Sequence, residues 1–114
     1  MKSPEILKKA QQELDEVVDS KRKVTEEDCE RLIYSKAIVK ETLRLHPALP
    51  LLLPHPAEEA AEVCGCKIPK HSQILVSVWG IGRDPSVWSN PTVFDPERFL
   101  QNSQIDYKGQ NLEF

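Results

Sequence analysis

Three things are scarce in this chain, and each scarcity removes a class of protein. Its cysteines, Cys29, Cys64 and Cys66, are an odd set of three, so they cannot make the even framework of a disulfide-stapled secreted domain. They do not make a zinc module either. Cys64-Gly-Cys66 has a single residue between its thiols, against the two to four usual at zinc sites, and no second Cys or His pair sits nearby to complete four ligands. They read as ordinary strand cysteines of a reducing compartment. Basic excess is also missing: 15 Lys and Arg stand against 18 Asp and Glu, which is not the balance of a nucleic-acid binder. Long apolar runs are absent too. No stretch approaches the ~20 residues of a membrane span, and the start Met1-Lys-Ser-Pro-Glu5 is not a signal peptide. Composition alone reads as cytosolic or cytosol-facing.

What is present is a 114-residue chain, 39% apolar and 29% charged, without repeats or low-complexity tracts. It is enough for one small globular piece that buries a modest share of its surface. Ser3-Pro4-Glu5 is a helix start: an N-cap, proline at the first helical position, then acid at the positive end of the dipole. Leu7, Ala10, Leu14 and Val17 recur at helical spacing, with Lys8, Lys9, Gln12 and Asp15 outside that stripe. Asp19 to Lys23 is a charged connector. Thr25-Glu-Glu-Asp28 reads as a capping box with Asp in place of the usual Glu or Gln, opening a short helix through Leu32 and Ile33. Ser35 is placed to cap a third helix from Lys36 to about His46, which Pro47 ends. Ala37, Ile38, Val39, Leu43 and Leu45 surround most of its circumference, the pattern of a buried helix.

Beyond Pro47 the texture changes. Pro47 to Pro56 is extended and punctuated by proline, at best an edge strand. Cys64 to Ile68 and Gln73 to Trp79 read as two strands around Pro69-Lys-His-Ser72. Asp84-Pro85 and Asp95-Pro96 each pair an N-cap with proline at N1, giving short helical turns inside a long loop. Helices first and a small sheet later predict an α+β fold, mainly α.

The chemistry-bearing residues are charged. Glu41 and Arg44 lie three apart on the most apolar helix, so they project from neighbouring positions of one face. A carboxylate on such a helix is expected to be buried, and buried charge persists only when paired and hydrogen-bonded. A guanidinium fork can grip carboxylate and backbone together. Arg98 follows the Asp95-Pro96 cap in a rigid segment. Spacing alone leaves open both a solvated surface pair and a buried network of the three.

Lys40-Glu-Thr-Leu-Arg-Leu-His-Pro47 resembles the K-helix signature of cytochromes P450, whose core is Glu-x-x-Arg. Asn90-Pro-Thr-Val-Phe-Asp-Pro-Glu-Arg-Phe99 resembles the later Pro-Glu-Arg-Phe motif. Trp79-Gly-Ile-Gly-Arg-Asp-Pro85 is similar to the linking segment of plant microsomal members, and Gln12-Glu-Leu-Asp-Glu-Val-Val18 to the family's J helix. The resemblance covers essentially the whole chain in family order, and its wording is similar to that of plant monoterpenoid hydroxylases of the geraniol type.

That resemblance implies a buried structural network of Glu41, Arg44 and Arg98 that positions the haem-side core without touching substrate. It implies haem, NADPH-cytochrome P450 reductase, a small hydrophobic substrate and the cytosolic face of the endoplasmic reticulum for the complete family protein. Leu51, Leu52 and Leu53 would line a substrate pocket. His55 stands where relatives carry an arginine that meets a haem propionate. His71 stands in a turn where glycine is common, so a positive φ is expected to be strained there. The family's axial cysteine follows the region matching Asp106-Tyr-Lys-Gly109, so Cys29, Cys64 and Cys66 are not expected to serve. Residues 1–114 are thus expected to be a partial domain without membrane anchor, oxygen-activating helix or haem-cysteine loop. On this reading the isolated chain does not hold haem stably and has no catalytic residue. The competing reading is a non-catalytic remnant acting at most in association.

Overall fold

The computed structural model describes residues 3–18 and 22–101. The chain divides into two compact units, one of Met1–Leu43 with Val93–Phe114 and one of Arg44–Thr92. Residues 19–21 of the charged connector, and the region Asp106 to Gly109, lie outside the described residues.

The first unit begins with α1, Pro4–Val17. Proline opens it and Glu5 occupies its first turn, as the sequence requires, but the Ser3 side chain makes no capping hydrogen bond. Helix α2, Glu26–Arg31, is held at its start by Asp28. One oxygen of this carboxylate accepts from the Thr25 N–H at 2.9 Å and the Thr25 hydroxyl at 2.8 Å. The Arg22 guanidinium grips both oxygens, at 2.6 and 2.8 Å. The Arg22 bonds, then those from Thr25, hold the Asp28 carboxyl far below the usual carboxylate range.

Three expectations fail at the next helix. Helix α2 does not run through Leu32 and Ile33. It stops at Arg31, Leu32 turns the chain with φ −80° and ψ 74°, and α3 then spans Ile33–Leu45. Ser35 is therefore inside α3 and does not cap it. The cap comes from α1: Glu13 accepts from the Tyr34 N–H at 2.6 Å, the Ser35 N–H at 2.8 Å and the Ser35 hydroxyl at 2.8 Å. These amides are the ones that an N-cap side chain would satisfy. Burial on α3 is also one-sided. Ala37, Glu41, Arg44 and Leu45 are buried, whereas Ile33 and Val39 are 64% and 55% exposed. The unit closes with a helical turn at Asp95, whose carboxylate accepts from the Glu97 N–H at 3.1 Å, leading into α5, Arg98–Gln101. Pro96 and Phe99 are buried there.

The second unit carries short strands, in a different pairing from the one the sequence suggests. β1 (His55–Pro56) pairs antiparallel with β4 (Gln73–Ile74), and β2 (Ala61–Val63) with β3 (Cys66–Ile68). Cys64 is not a strand residue. Cys64 and Gly65, at φ 49° and 78°, are the two left-handed residues of a tight hairpin turn that sets Val63 opposite Cys66. The predicted strand to Trp79 stops at Ile74, and Val78–Ile81 is instead a helical turn, α4. The Ser77 hydroxyl opens it by accepting from the Gly80 N–H at 3.1 Å, a local bond that competes with strand pairing. His71 takes φ 67°, between bonds from its own N–H to the Ala57 carbonyl at 2.8 Å and from the Ala57 N–H to Ser72 at 2.9 Å. Asp84 caps its own turn: it accepts from the Ser86 hydroxyl at 2.6 Å and the Ser86 N–H at 2.8 Å. These bonds, hydroxyl first, lower its pKa.

Candidate functional site

Within the first unit, Glu41 is wholly buried on α3. Its Oε1 accepts from the Asp95 N–H at 2.8 Å and from Arg98 Nε at 3.2 Å. Arg98 Nη2 also donates to the Val93 carbonyl at 3.3 Å. Desolvating a carboxylate is costly, and a partnered guanidinium plus a backbone N–H is what makes the burial tolerable. The Asp95-Pro96 turn aims both donors: it fixes the Asp95 amide and starts the helical turn that carries Arg98. Two further contacts tie α1 and α3 to this segment. Lys9 Nζ pairs with Glu97, and Lys40 lies 5.9 Å from the centre of the Phe99 ring. The Glu97 bond and charge raise the Lys9 pKa, while burial pushes the Tyr34 phenol up.

Within the second unit, Arg44 is buried. Its Nη1 donates to the Gly82 carbonyl and, at 2.8 Å, to the Pro91 carbonyl. The guanidinium also stacks 5.0 Å from the centre of the Trp88 ring, and Trp88 Nε1 donates to the Ile81 carbonyl at 3.1 Å. A Cβ on Gly82 would collide with the Arg44 carbonyl oxygen, so a side chain is excluded at this close approach.

The geometry thus joins Glu41 to Arg98 and gives Arg44 a backbone-gripping role that Glu-x-x-Arg spacing does not reveal. Glu13, Gly82 and Trp88 were missed as anchoring residues, because their partners lie far away in the chain. Leu51, Leu52 and Leu53 are exposed at 51%, 40% and 67%, with Leu52 at φ 48°. His55 is exposed in β1. Among the described residues, no buried side-chain nitrogen or oxygen lacks a partner.

The profile of the cytochrome P450 family matches residues 1–114. The chain belongs to the cytochrome P450 family. It is 51% identical over 113 residues to an iridoid oxidase of Catharanthus roseus, covering 99% of this chain and 22% of that protein. It is 47% identical over 113 residues to a geraniol 8-hydroxylase of Swertia mussotii, covering 99% of this chain and 23% of that one. Among solved structures, a zebra fish cytochrome P450 with progesterone superposes with a TM-score of 0.81 at 37% identity, covering 88% of this chain and 24% of that chain. The chain therefore spans 22–23% of the length of these curated P450 relatives, and its two short strand pairs amid helices are part of the P450 fold.

The family implies haem in the complete protein, its iron held by a single cysteine thiolate, and none of the three cysteines here lies in an enclosed site of that kind. Cys29, Cys64 and Cys66 are exposed, and Cys64 is committed to a tight turn. Among the described residues no group of three or more His, Cys, Asp and Glu is placed to hold a metal ion. No helix among them is long and apolar enough to cross a membrane.

Proposed function

We propose that this chain is part of the core of a P450 monooxygenase that hydroxylates a small hydrophobic plant metabolite, and that its charged residues hold the scaffold and perform no chemistry. Glu41, Arg44 and Arg98 are the structural network of that core. The supporting observation is Glu41, fully buried and bonded to both the Asp95 amide and Arg98, in a chain that matches the family profile from end to end. A wholly buried carboxylate that accepts from a backbone amide and a fixed guanidinium suits positioning and not proton transfer.

Bound to a cysteine thiolate, haem supplies the oxygen-activating chemistry. On this reading the thiolate comes from none of the three cysteines present, and electrons come from NADPH-cytochrome P450 reductase at the cytosolic face of the endoplasmic reticulum. Leu51, Leu52 and Leu53 present apolar surface suited to a terpenoid-like substrate, and His55 is a candidate propionate donor. The names of the relatives, iridoid oxidase and geraniol 8-hydroxylase, favour a monoterpenoid.

Sequencing the complete transcript through both ends of this reading frame, then recording the CO difference spectrum of the encoded protein with haem and reductant, tests the proposal. A thiolate-type Soret band is expected from that protein and not from residues 1–114 alone. A transcript ending at these residues would favour the non-catalytic remnant. A thiolate-type band from the 114-residue chain would overturn the exclusion of its cysteines.

A further inference from the structure

The segment from Trp79 to Pro91 makes its contacts with the last turn of α3 through two arginines pointing opposite ways along the chain. Arg44, on the helix, donates to segment carbonyls at Gly82 and Pro91. Arg83, on the segment, donates from Nη2 to the helix carbonyl of Leu45 at 2.7 Å. Leu45 carries one of the last four carbonyls of α3, which have no partner within the helix. A cation there also complements the negative end of the helix dipole. Arg83 is itself held on a second side: its guanidinium lies 4.2 Å from the centre of the Trp79 ring and Nη1 reaches the Trp79 carbonyl at 3.4 Å. Stacking fixes the plane of the fork, which makes the bond to Leu45 directional.

We infer that Arg83 is a positioning residue for Arg44, locking the Trp79–Pro91 strap onto the end of α3 so that the Gly82 and Pro91 carbonyls meet the Arg44 guanidinium. Gly82, an acceptor in one lock, directly precedes Arg83, the donor of the other, and is buried against the Arg44 carbonyl. A strap free to rotate there would carry the Gly82 and Pro91 carbonyls away from Arg44 together. The importance of this for a complete monooxygenase rests on the structural role proposed above for Arg44, but the lock itself is a property of these residues and is testable in them.

Solution NMR of the 114-residue chain, with Arg83→Ala and Arg83→Lys, tests it. In the unsubstituted chain the Arg83 side-chain protons should be shifted upfield by the Trp79 ring. In Arg83→Ala, amide exchange at Ile81, Gly82 and Trp88, and of the Trp88 indole N–H, should quicken by about tenfold, the equivalent of one charge-assisted hydrogen bond. Amides of β2 and β3 should keep their rates. Arg83→Lys should fall between the two, since an ammonium can reach Leu45 but has no planar face for Trp79. An unshifted Arg83, unchanged exchange in Arg83→Ala, or Arg83→Lys indistinguishable from the unsubstituted chain would each overturn the inference. None of these readouts involves haem, so the Soret experiment can fail without deciding this one.

Discussion

Several long-range backbone anchors of the two units use opposite chemistry. In the first, carboxylates accept from amides: Glu13 from Tyr34 and Ser35, Glu41 from Asp95. In the second, guanidiniums donate to carbonyls: Arg44 to Gly82 and Pro91, Arg83 to Leu45. A carboxylate can be protonated within an accessible pH range, whereas a guanidinium cannot. The Glu13 anchor is therefore open to acid, whereas the Arg44 and Arg83 anchors are not.

The strongest way to break this comparison is Arg98→Ala. It removes a charged partner of Glu41, a wholly buried carboxylate, and is expected to cost ~3–5 kcal/mol in urea unfolding. A loss near zero would mean that Arg98 does not stabilise the buried carboxylate. Gly82→Ala should come next, at ~1–3 kcal/mol, because its Cβ meets backbone that cannot swing aside as a side chain can. In that variant the Trp88 indole resonance should move, reporting on the second unit.

Glu13→Gln sharpens the contrast with a smaller effect, ~1 kcal/mol, since the amide oxygen keeps one acceptor but loses the charge. Its pH signature is the informative part. Burial pushes the Glu13 carboxyl up, but bonds from Tyr34, Ser35 and Ile33 outweigh it and leave the group lowered. Its stabilising contribution is therefore complete above the unfolded value of ~4.3 and is lost as pH falls through the lower folded value. Amide exchange at Tyr34 and Ser35 should quicken in that acid range, with Gly82 unaffected, and Glu13→Gln should abolish the dependence. The smallest effect belongs to Lys9→Ala. The Lys9–Glu97 pair is about half exposed on both sides, and such pairs contribute little and are screened by salt. The unfolding midpoint should not move measurably in moderate salt.

Signals confined to a few residues were legible in the sequence. Pro4 at the first helical position marks the start of α1 although Ser3 makes no capping bond, while Thr25 to Asp28 mark the start of α2 and the two Asp-Pro pairs their turns, because there each donor and acceptor lies within one helical turn. Signals that cross the chain were not. The start of α3 is set by a carboxylate 22 residues from Ser35, so the local cap that Ser35 suggests is not the one used. Val76 and Val78 alternate as in a strand, but the Ser77 hydroxyl and the Gly80 amide turn that stretch into α4. For the site, apolar surroundings correctly marked Glu41 as buried. Spacing alone does not announce its bond to Arg98, 57 residues away, and nothing near Arg44 announces that its guanidinium would reach the Gly82 and Pro91 carbonyls.

Four non-glycine residues of the second unit hold positive φ: Leu52, Cys64, His71 and Asn90, at 48°, 49°, 67° and 47°. Asparagine tolerates this geometry, but leucine, cysteine and histidine pay roughly 1 kcal/mol each for it relative to glycine. For protein engineering these three sites are a ready reserve. Glycine at 52, 64 and 71 would relieve backbone strain without touching a single residue of either anchoring system, which makes this unit the place to begin when building a hardier variant.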